Sequence, residues 1–265
     1  AAVCELTRTF TYNDLGSLER IFAEHRGRVA AVILEPVGVV EPEGEFLQRV
    51  AAVTHANGAV LIFDEIVTGF RLALGGAQER FGVVPDLACF GKAMANGFPL
   101  AAVVGRREIM EVFDEIFFSV TFGGEALSLA AALATIAKLR EKNVIEHLWR
   151  QGARLRDGYN TLAREVGLAS LTQCLGYPPR TVLTFSERAG TQSLAMKSLL
   201  QQEMIKRGIL IAGGFNLCYA HSDDDIRRTL EACGDALAIL ARARAEDRVE
   251  ASLEGPIIQP VFRSA

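Results

Sequence analysis

Apolar and polar positions alternate along the first half in blocks that predict strands and helices in turn. Val29 to Leu34 is a continuous apolar run that stops at Glu35-Pro36. From Glu45 to His55 apolar residues recur at helical spacing (Phe46, Leu47, Val50, Val53), and Asn57-Gly58 closes the segment as a helix C-cap does. Ala59 to Phe63 is a second apolar run and ends at Asp64-Glu65. Leu87 to Phe90 is a third and Leu100 to Val104 a fourth. Short runs apolar on both faces, separated by helices, predict a parallel or mostly parallel sheet covered on both sides.

The second half reads differently. Helices are expected over Glu125 to Glu141 and Ile145 to Val166, the apolar stretch Ala126 to Leu139 being a buried core helix. Ala169 to Leu175 and Thr181 to Phe185 read as strands around the turn Gly176-Tyr177-Pro178-Pro179. Ser193 to Lys206 reads as a helix ending at Gly208, followed by short strands at Ile209 to Ala212 and Leu217 to Ala220. Ser222, with Asp225 three residues on, gives a capping-box start to a last helix running to Ala245. The tail from Glu254-Gly255-Pro256 to Ala265 is expected on a surface. The change of pattern sets a domain boundary near residue 150, dividing the chain into 1–150 and 151–265.

Composition narrows the function. Twenty-eight Lys+Arg against 32 Asp+Glu give a net charge of −4, and no basic stripe marks a nucleic-acid binder. With 50% hydrophobic residues the chain can build a core, yet no run reaches the ~20 apolar residues of a membrane span. Ala1-Ala2-Val3-Cys4 shows no basic region or cleavage site, so no signal peptide is expected. Five cysteines without a C-x-x-C pair read as reduced, mostly buried thiols of a cytoplasmic protein. The four scattered histidines show no metal-ligand spacing, and no metal site is expected. There is no Gly-x-Ser-x-Gly nucleophile elbow, which leaves an α/β hydrolase without support.

In open α/β sheets ligands bind at the carboxyl ends of the strands. Three predicted strand ends carry ionisable groups: Glu35, Asp64-Glu65, and Lys92 in Phe90-Gly91-Lys92. The spacing from Asp64 to Lys92 allows a crossover and one further strand, so a carboxylate and an amine can share one edge. A lysine there can condense with a carbonyl, and a buried carboxylate can hold a pyridine nitrogen protonated. Spacing alone describes a plain salt bridge or a solvent-facing lysine more readily than a site. Glu65 is expected to face water or to make a structural ion pair, and His221, before a helix cap, to be structural.

The residues around this pair are more specific. Leu61-Ile62-Phe63-Asp64-Glu65-Ile66-Val67-Thr68-Gly69-Phe70-Arg71 resembles the Asp-Glu-Val-x-Thr-Gly-Phe-Arg segment of the class III, fold type I, pyridoxal 5'-phosphate (PLP)-dependent aminotransferases. Glu35-Pro36-Val37, Leu74-Gly75-Gly76-Ala77-Gln78, Phe81-Gly82-Val83-Val84-Pro85-Asp86-Leu87 and Gly91-Lys92 are similar to the glutamate-1-semialdehyde 2,1-aminomutase branch of that class. Thr121-Phe122-Gly123-Gly124-Glu125-Ala126-Leu127 resembles the family's Thr-x-x-Gly-Asn-Pro-Leu, and Ala220-His221-Ser222-Asp223-Asp224-Asp225-Ile226 its C-terminal helix start. The matches keep family order over residues 30 to 240.

The resemblance implies an α/β fold of PLP-dependent transferase type I. Residues 1–150 would be the C-terminal part of the PLP-binding large domain, and 151–265 the small α+β C-terminal domain with its tail. It implies PLP as cofactor and amino-group transfer as the reaction, by an aminotransferase or an aminomutase acting on small-molecule amino donors and acceptors. Lys92 would be the Schiff-base lysine and proton shuttle. Asp64 would pair with the pyridine nitrogen and Ile66 would pack on the ring. Thr121 would bind the cofactor phosphate of the neighbouring subunit, which implies a homodimer with shared active sites, while Glu35 and Gln78 would lie at the site's edge. Three features depart from the family. Ala95-Asn96-Gly97-Phe98-Pro99 replaces Gly-Gly-Gly-x-Pro, Glu125-Ala126 replaces Asn-Pro, and the N-terminal portion with the family's phosphate turn has no counterpart in this sequence. The chain therefore reads as a fragment of a longer protein or as a truncated relative. The alternative function is a non-catalytic relative serving as a dimerisation or partner-binding module.

Overall fold

The computed structural model of the chain describes residues 2–188 and 191–259. The chain divides into two compact units that meet at Ile145/Glu146. The first contains α1 (Ala2–Glu5), α2 (Leu15–Glu24), β1 (Ala31–Leu34), α3 (Phe46–Ala56), β2 (Val60–Asp64), α4 (Gly76–Phe81), β3 (Leu87–Phe90), β4 (Ala102–Gly105), α5 (Arg107–Met110) and α6 (Ala126–Glu141). α7 (Val144–Glu165) leads into the second, with β5 (Thr172–Leu175), β6 (Val182–Arg188), β7 (Thr191–Gln192), α8 (Leu194–Lys206) and α9 (Asp223–Ala245).

The first unit is built on a four-stranded sheet in the order β1-β2-β3-β4. β1, β2 and β3 run parallel, joined by crossovers through α3 and α4, and β4 returns antiparallel to β3. One face is buried: Val32, Leu34, Leu61 and Phe63 pack against Leu18 and Phe22 of α2 and Phe46, Leu47 and Val50 of α3. The other face departs from the two-sided cover expected of such strands. Side chains alternate across a strand, so Ile33 points away from α2 and α3 and is 60% exposed.

The amino end of β3 is fastened by a buried carboxylate. Asp86 accepts hydrogen bonds from Leu61 N–H (2.8 Å), His55 Nε2 (2.9 Å) and Arg106 (3.1 Å). Burial pushes this carboxyl up, but the bonds from Leu61, His55 and Arg106 outweigh it and hold it below the usual carboxylate range.

α6 corrects a second expectation. Among its residues only Ser128 and Ala132 are buried, and Leu127 and Leu133 stand exposed. The helix is largely apolar, and among the described residues Ala132 meets Met94 and Ala95, with Ile136 packed beside them. Phe117, Phe118, Val120 and Phe122 in the segment before it are also exposed. Together they form an apolar surface of the kind that marks an interaction site. Glu125, in place of the family's Asn, serves as N-cap, accepting from Leu127 N–H and Ser128 N–H.

The second unit surrounds a three-stranded antiparallel sheet, β5-β6-β7. Its largest fully buried side chain, Tyr159 of α7, bonds Thr172 Oγ1 at 2.6 Å. α9 opens with the expected capping box between Ser222 and Asp225. The segments Ile209 to Ala212 and Leu217 to Ala220 are not strands. Gly213-Gly214 interrupts the apolar run, and the chain makes an isolated bridge, Asn216 with Arg180, and bonds from Leu183 N–H of β6 to Gly213 C=O (2.8 Å) and from Thr181 N–H, just before β6, to Phe215 C=O (3.0 Å). Of the tail, 260–265 lie outside the described residues. The thiols are less buried than expected: Cys174 and Cys233 are buried, Cys89 is half-buried, and Cys4 and Cys218 are exposed, all free.

A second buried carboxylate, Glu203 of α8, takes Lys206 and Arg207, each at 2.9 Å. Arg207 continues to Asp235 of α9 and Lys206 to Glu254 of the tail. Burial opposes the Glu203 charge, but the bonds from Lys206, Arg207 and Gln202 outweigh it and hold the carboxyl at about 2.

Asp86→Asn is expected to cost about 2 kcal/mol at neutral pH, read as a lower urea midpoint. A depressed carboxyl contributes stability that is complete above its ordinary value, 3.8 for Asp86, and is lost as pH falls through the folded value. The gap between wild type and variant therefore closes on acidification. The gap for Glu203→Gln should shrink below pH 4.5 and close near pH 2.

Candidate active site

The parallel register decides where the strand ends lie. Leu34 of β1 is level with Phe63 of β2, and Asp64 is level with Cys89 of β3. Glu35, Asp64 and Lys92 therefore emerge at the same carboxyl edge of three adjacent strands. Asp64 is half-buried, and its Oδ1 accepts the Ile66 N–H at 3.0 Å. Its other oxygen has no partner among the described residues.

Lys92 follows β3 by two residues and opens a 3-10 turn, Lys92–Ala95. Its φ is +42°, a left-handed backbone that a side-chain-bearing residue rarely adopts. Its side chain is exposed, and no described residue pairs with its amine. In the turn beyond, Asn96 (φ +48°) and Gly97 (φ +103°) are both left-handed. Asn tolerates this conformation through its short polar side chain, so the loop keeps left-handed residues with fewer glycines than the family pattern.

The segment from Asp64 to Phe70 folds over the Lys92 turn. Glu65 N–H donates to Cys89 C=O at 2.9 Å. Ile66 lies against Gly91, its Cγ2 3.7 Å from the place a Cβ would occupy. Gly69 passes so close to Phe90 that a Cβ would stand 2.5 Å from its ring, and the Phe70 and Phe90 rings are 5.5 Å apart. Motif and lysine, distant in sequence, are one structural element.

Glu65 neither faces water nor pairs with a cation, in contrast to expectation. It is 1% exposed. Its carboxylate accepts from Thr68 Oγ1, from Ala77 N–H and Gln78 N–H (both 2.8 Å), and from Gln78 Nε2 at 3.4 Å. These amides begin α4, where a carboxylate is favoured by the helix dipole. Sequence reasoning missed this anchor. Its signal was Gly75-Gly76 opening a short helix: Gly76 has φ +82°, and a Cβ there would come 2.5 Å from Glu65 Oε2.

The remaining candidates are less central. Glu35 is exposed at the end of β1, and Gln78 belongs to the Glu65 anchor. Thr121 is exposed in the turn before α6, with no hydrogen bond to Asp64, Lys92 or Gln78 among the described residues. His221, in the second unit, accepts the Cys218 N–H on Nδ1 and holds His147 through its carbonyl. No group of three or more His, Cys, Asp or Glu that could hold a metal occurs among the described residues.

An amine, a carboxylate with a free oxygen and an aliphatic side chain share one sheet edge. The family Aminotransferase class-III matches residues 6–171. A glutamate-1-semialdehyde 2,1-aminomutase of Thermomicrobium roseum is 40% identical over 255 residues, 89% of this chain and 59% of that protein. Glutamate-1-semialdehyde 2,1-aminomutase 2 of Brevibacillus brevis is 36% identical, over 87% of this chain and 58% of that protein. Among solved structures, the PLP internal aldimine form of the Sphingopyxis sp. MTA144 FumI protein superposes with a TM-score of 0.83 at 29% identity, over 90% of this chain and 58% of that one. The chain belongs to the class-III aminotransferase family and has the type I fold of PLP-dependent transferases. Within that family it is similar to glutamate-1-semialdehyde 2,1-aminomutases, of which it spans less than two thirds. Pyridoxal 5'-phosphate is the cofactor of this family.

Gly76→Ala is expected to destabilise the first unit by about 2 kcal/mol, from the left-handed backbone and the clash with Glu65. Chemical denaturation checks it, with Gly58→Ala as comparison. Gly58 is also left-handed, but a Cβ there meets nothing within 4 Å.

Proposed function

We propose that this chain carries the reacting groups of a PLP-dependent enzyme that transfers an amino group, as an aminotransferase or as a glutamate-1-semialdehyde-aminomutase-like enzyme. The observation that carries the reading is the pairing of β2 with β3, which brings Asp64 and Lys92 to one edge within the family's own motif. The donor set fits the cofactor: a free amine for an aldehyde, and a carboxylate oxygen without a partner for a ring N–H.

When bound, PLP supplies an aldehyde that condenses with amines and a protonated ring that accepts the electron pair released at the neighbouring carbon. Lys92 Nζ would hold that aldehyde between turnovers. The same Nζ would be placed to take a proton from a substrate carbon and to return it. Asp64, through its free oxygen, would keep the ring nitrogen protonated, and Ile66 would line the ring. Glu35 and Gln78 border the site in this reading. Residues 1–150 are proposed as the C-terminal part of a PLP-binding large domain and 151–265 as the small domain.

The partners follow from the same reading: small-molecule amino donors and acceptors in the cytoplasm. A homodimer would use Thr121 for the neighbouring subunit's cofactor phosphate. The exposed apolar residues on both sides of Thr121, Val120 and Phe122 among them, support an interface there. No helix among the described residues is long and apolar enough to cross a membrane.

Borohydride reduction in the presence of PLP, followed by peptide mass mapping, tests this. A pyridoxyl mass is expected on the Lys92 peptide and is lost in Lys92→Ala. Asp64→Asn should keep the label and lose amino transfer by about a hundredfold or more, the scale of one electrostatic stabiliser in a reacting site. An unlabelled Lys92 on folded protein would instead favour the non-catalytic dimerisation module.

A further inference from the structure

Asp64 and Glu65 are adjacent carboxylates with opposite environments. Asp64 is half-buried with one oxygen free, whereas Glu65 is buried with both oxygens engaged. Successive side chains at a strand end point to opposite sides, so whatever fixes Glu65 also sets the direction of Asp64. Glu65 is fixed from three quarters. Its side chain reaches forward to Thr68, Ala77 and Gln78. Its N–H is tied to Cys89 of β3 and its C=O accepts the Gly69 N–H at 2.8 Å. Gly76 leaves the carboxylate the space that a Cβ would fill. Asp64 itself is held by a single side-chain bond, to the amide of Ile66, the residue that follows this anchor.

We infer that Glu65 is a positioning residue: it locks the Asp64–Ile66 turn so that one Asp64 oxygen stays free at the edge and Ile66 stays against Gly91 beside Lys92. Its charge is stabilised by amides of α4 and a hydroxyl. It therefore does not compete with Asp64 for a cation at the edge. Naming PLP as the group that Asp64 meets rests on the function proposed above; the locking of the turn does not.

The test uses the full chain and four variants, Glu65→Gln, Thr68→Val, Asp64→Asn and Asp86→Asn. Gln keeps the length of Glu65 but offers an NH2 to donors that need an acceptor. Thr68→Val removes one bond to Glu65 and serves if Glu65→Gln does not fold. Asp86→Asn weakens the same sheet at the other end of β3 and reports a purely structural effect. Glu65→Gln is expected to speed hydrogen exchange of the Ile66 amide about tenfold, the loss of a charge-assisted hydrogen bond. It should also weaken PLP binding about tenfold and shift the pH midpoint of the bound chromophore's absorbance in the same direction as Asp64→Asn. Thr68→Val should move all three readouts the same way and less, and Asp86→Asn should move none. Wild-type Ile66 exchange and a wild-type chromophore midpoint in Glu65→Gln, with stability alone reduced, would overturn the positioning role. A wild-type chain that binds no PLP, or an Asp64→Asn midpoint equal to wild type, would overturn the proposed function. The Ile66 exchange rates would still decide the role of Glu65.

Discussion

The parallel pairing of β1, β2 and β3 is the constraint on which the candidate site depends. Parallel neighbours end at the same edge. Glu35, Asp64 and Lys92 thus emerge at one edge although 57 residues separate the first from the last (92 − 35). A shift of one residue in the β2–β3 register would turn the Asp64 side chain to the other face. At the opposite end of β3, Asp86 accepts the Leu61 amide of β2. Gly105 of β4 passes so near Asp86 that a Cβ would stand 2.1 Å from its carbonyl oxygen, which fixes β4 against β3.

Three buried carboxylates are each compensated differently, and the difference matches their tasks. Taking a carboxylate out of water is costly unless hydrogen bonds or cations replace the solvent. Asp86 has one amide, the His55 ring and the Arg106 guanidinium, the last two partly exposed. Glu203 has two cations, which carry the contact on to α9 and the tail. Glu65 is held by amides and a hydroxyl alone. A cation at Glu65 would sit one residue from Asp64 and alter the charge at the candidate site; dipoles stabilise it without that effect.

The apolar surface of the first unit has the same origin as its core. The sheet and α6 carry apolar residues on sides that no described element covers, at Ile33, Leu127 and Leu133. Such surface is unfavourable in water at about 25 cal/mol per Å², so a partner or a further segment that covers it gains stability by contact. The chain spans 59% of the length of a relative that is 40% identical to it.

The one-dimensional pattern was enough for much of the molecule. Strand β3, the helices α6 to α9 and the capping box of α9 follow from short-range rules: period, capping residues and glycine stops act within a few residues. The motif Asp64 to Arg71 and Gly91-Lys92 likewise identified the family, because side-chain chemistry is local. Other features needed three dimensions. Ile209 to Ala212 reads as a strand but forms none, since a strand requires a partner ladder and the chain here makes scattered bonds and an isolated bridge, Arg180 with Asn216. The apolar α6 reads as core, yet burial depends on what stands opposite each face. Glu65 reads as a surface charge or a member of an ion pair because the amides it accepts from, Ala77 and Gln78, lie 12 and 13 residues away. Local sequence determined which segments became helices and strands and which side chains could react. Only tertiary structure decided which were covered, which charges were compensated, and that Asp64 and Lys92 share an edge, because contacts between distant segments set all three.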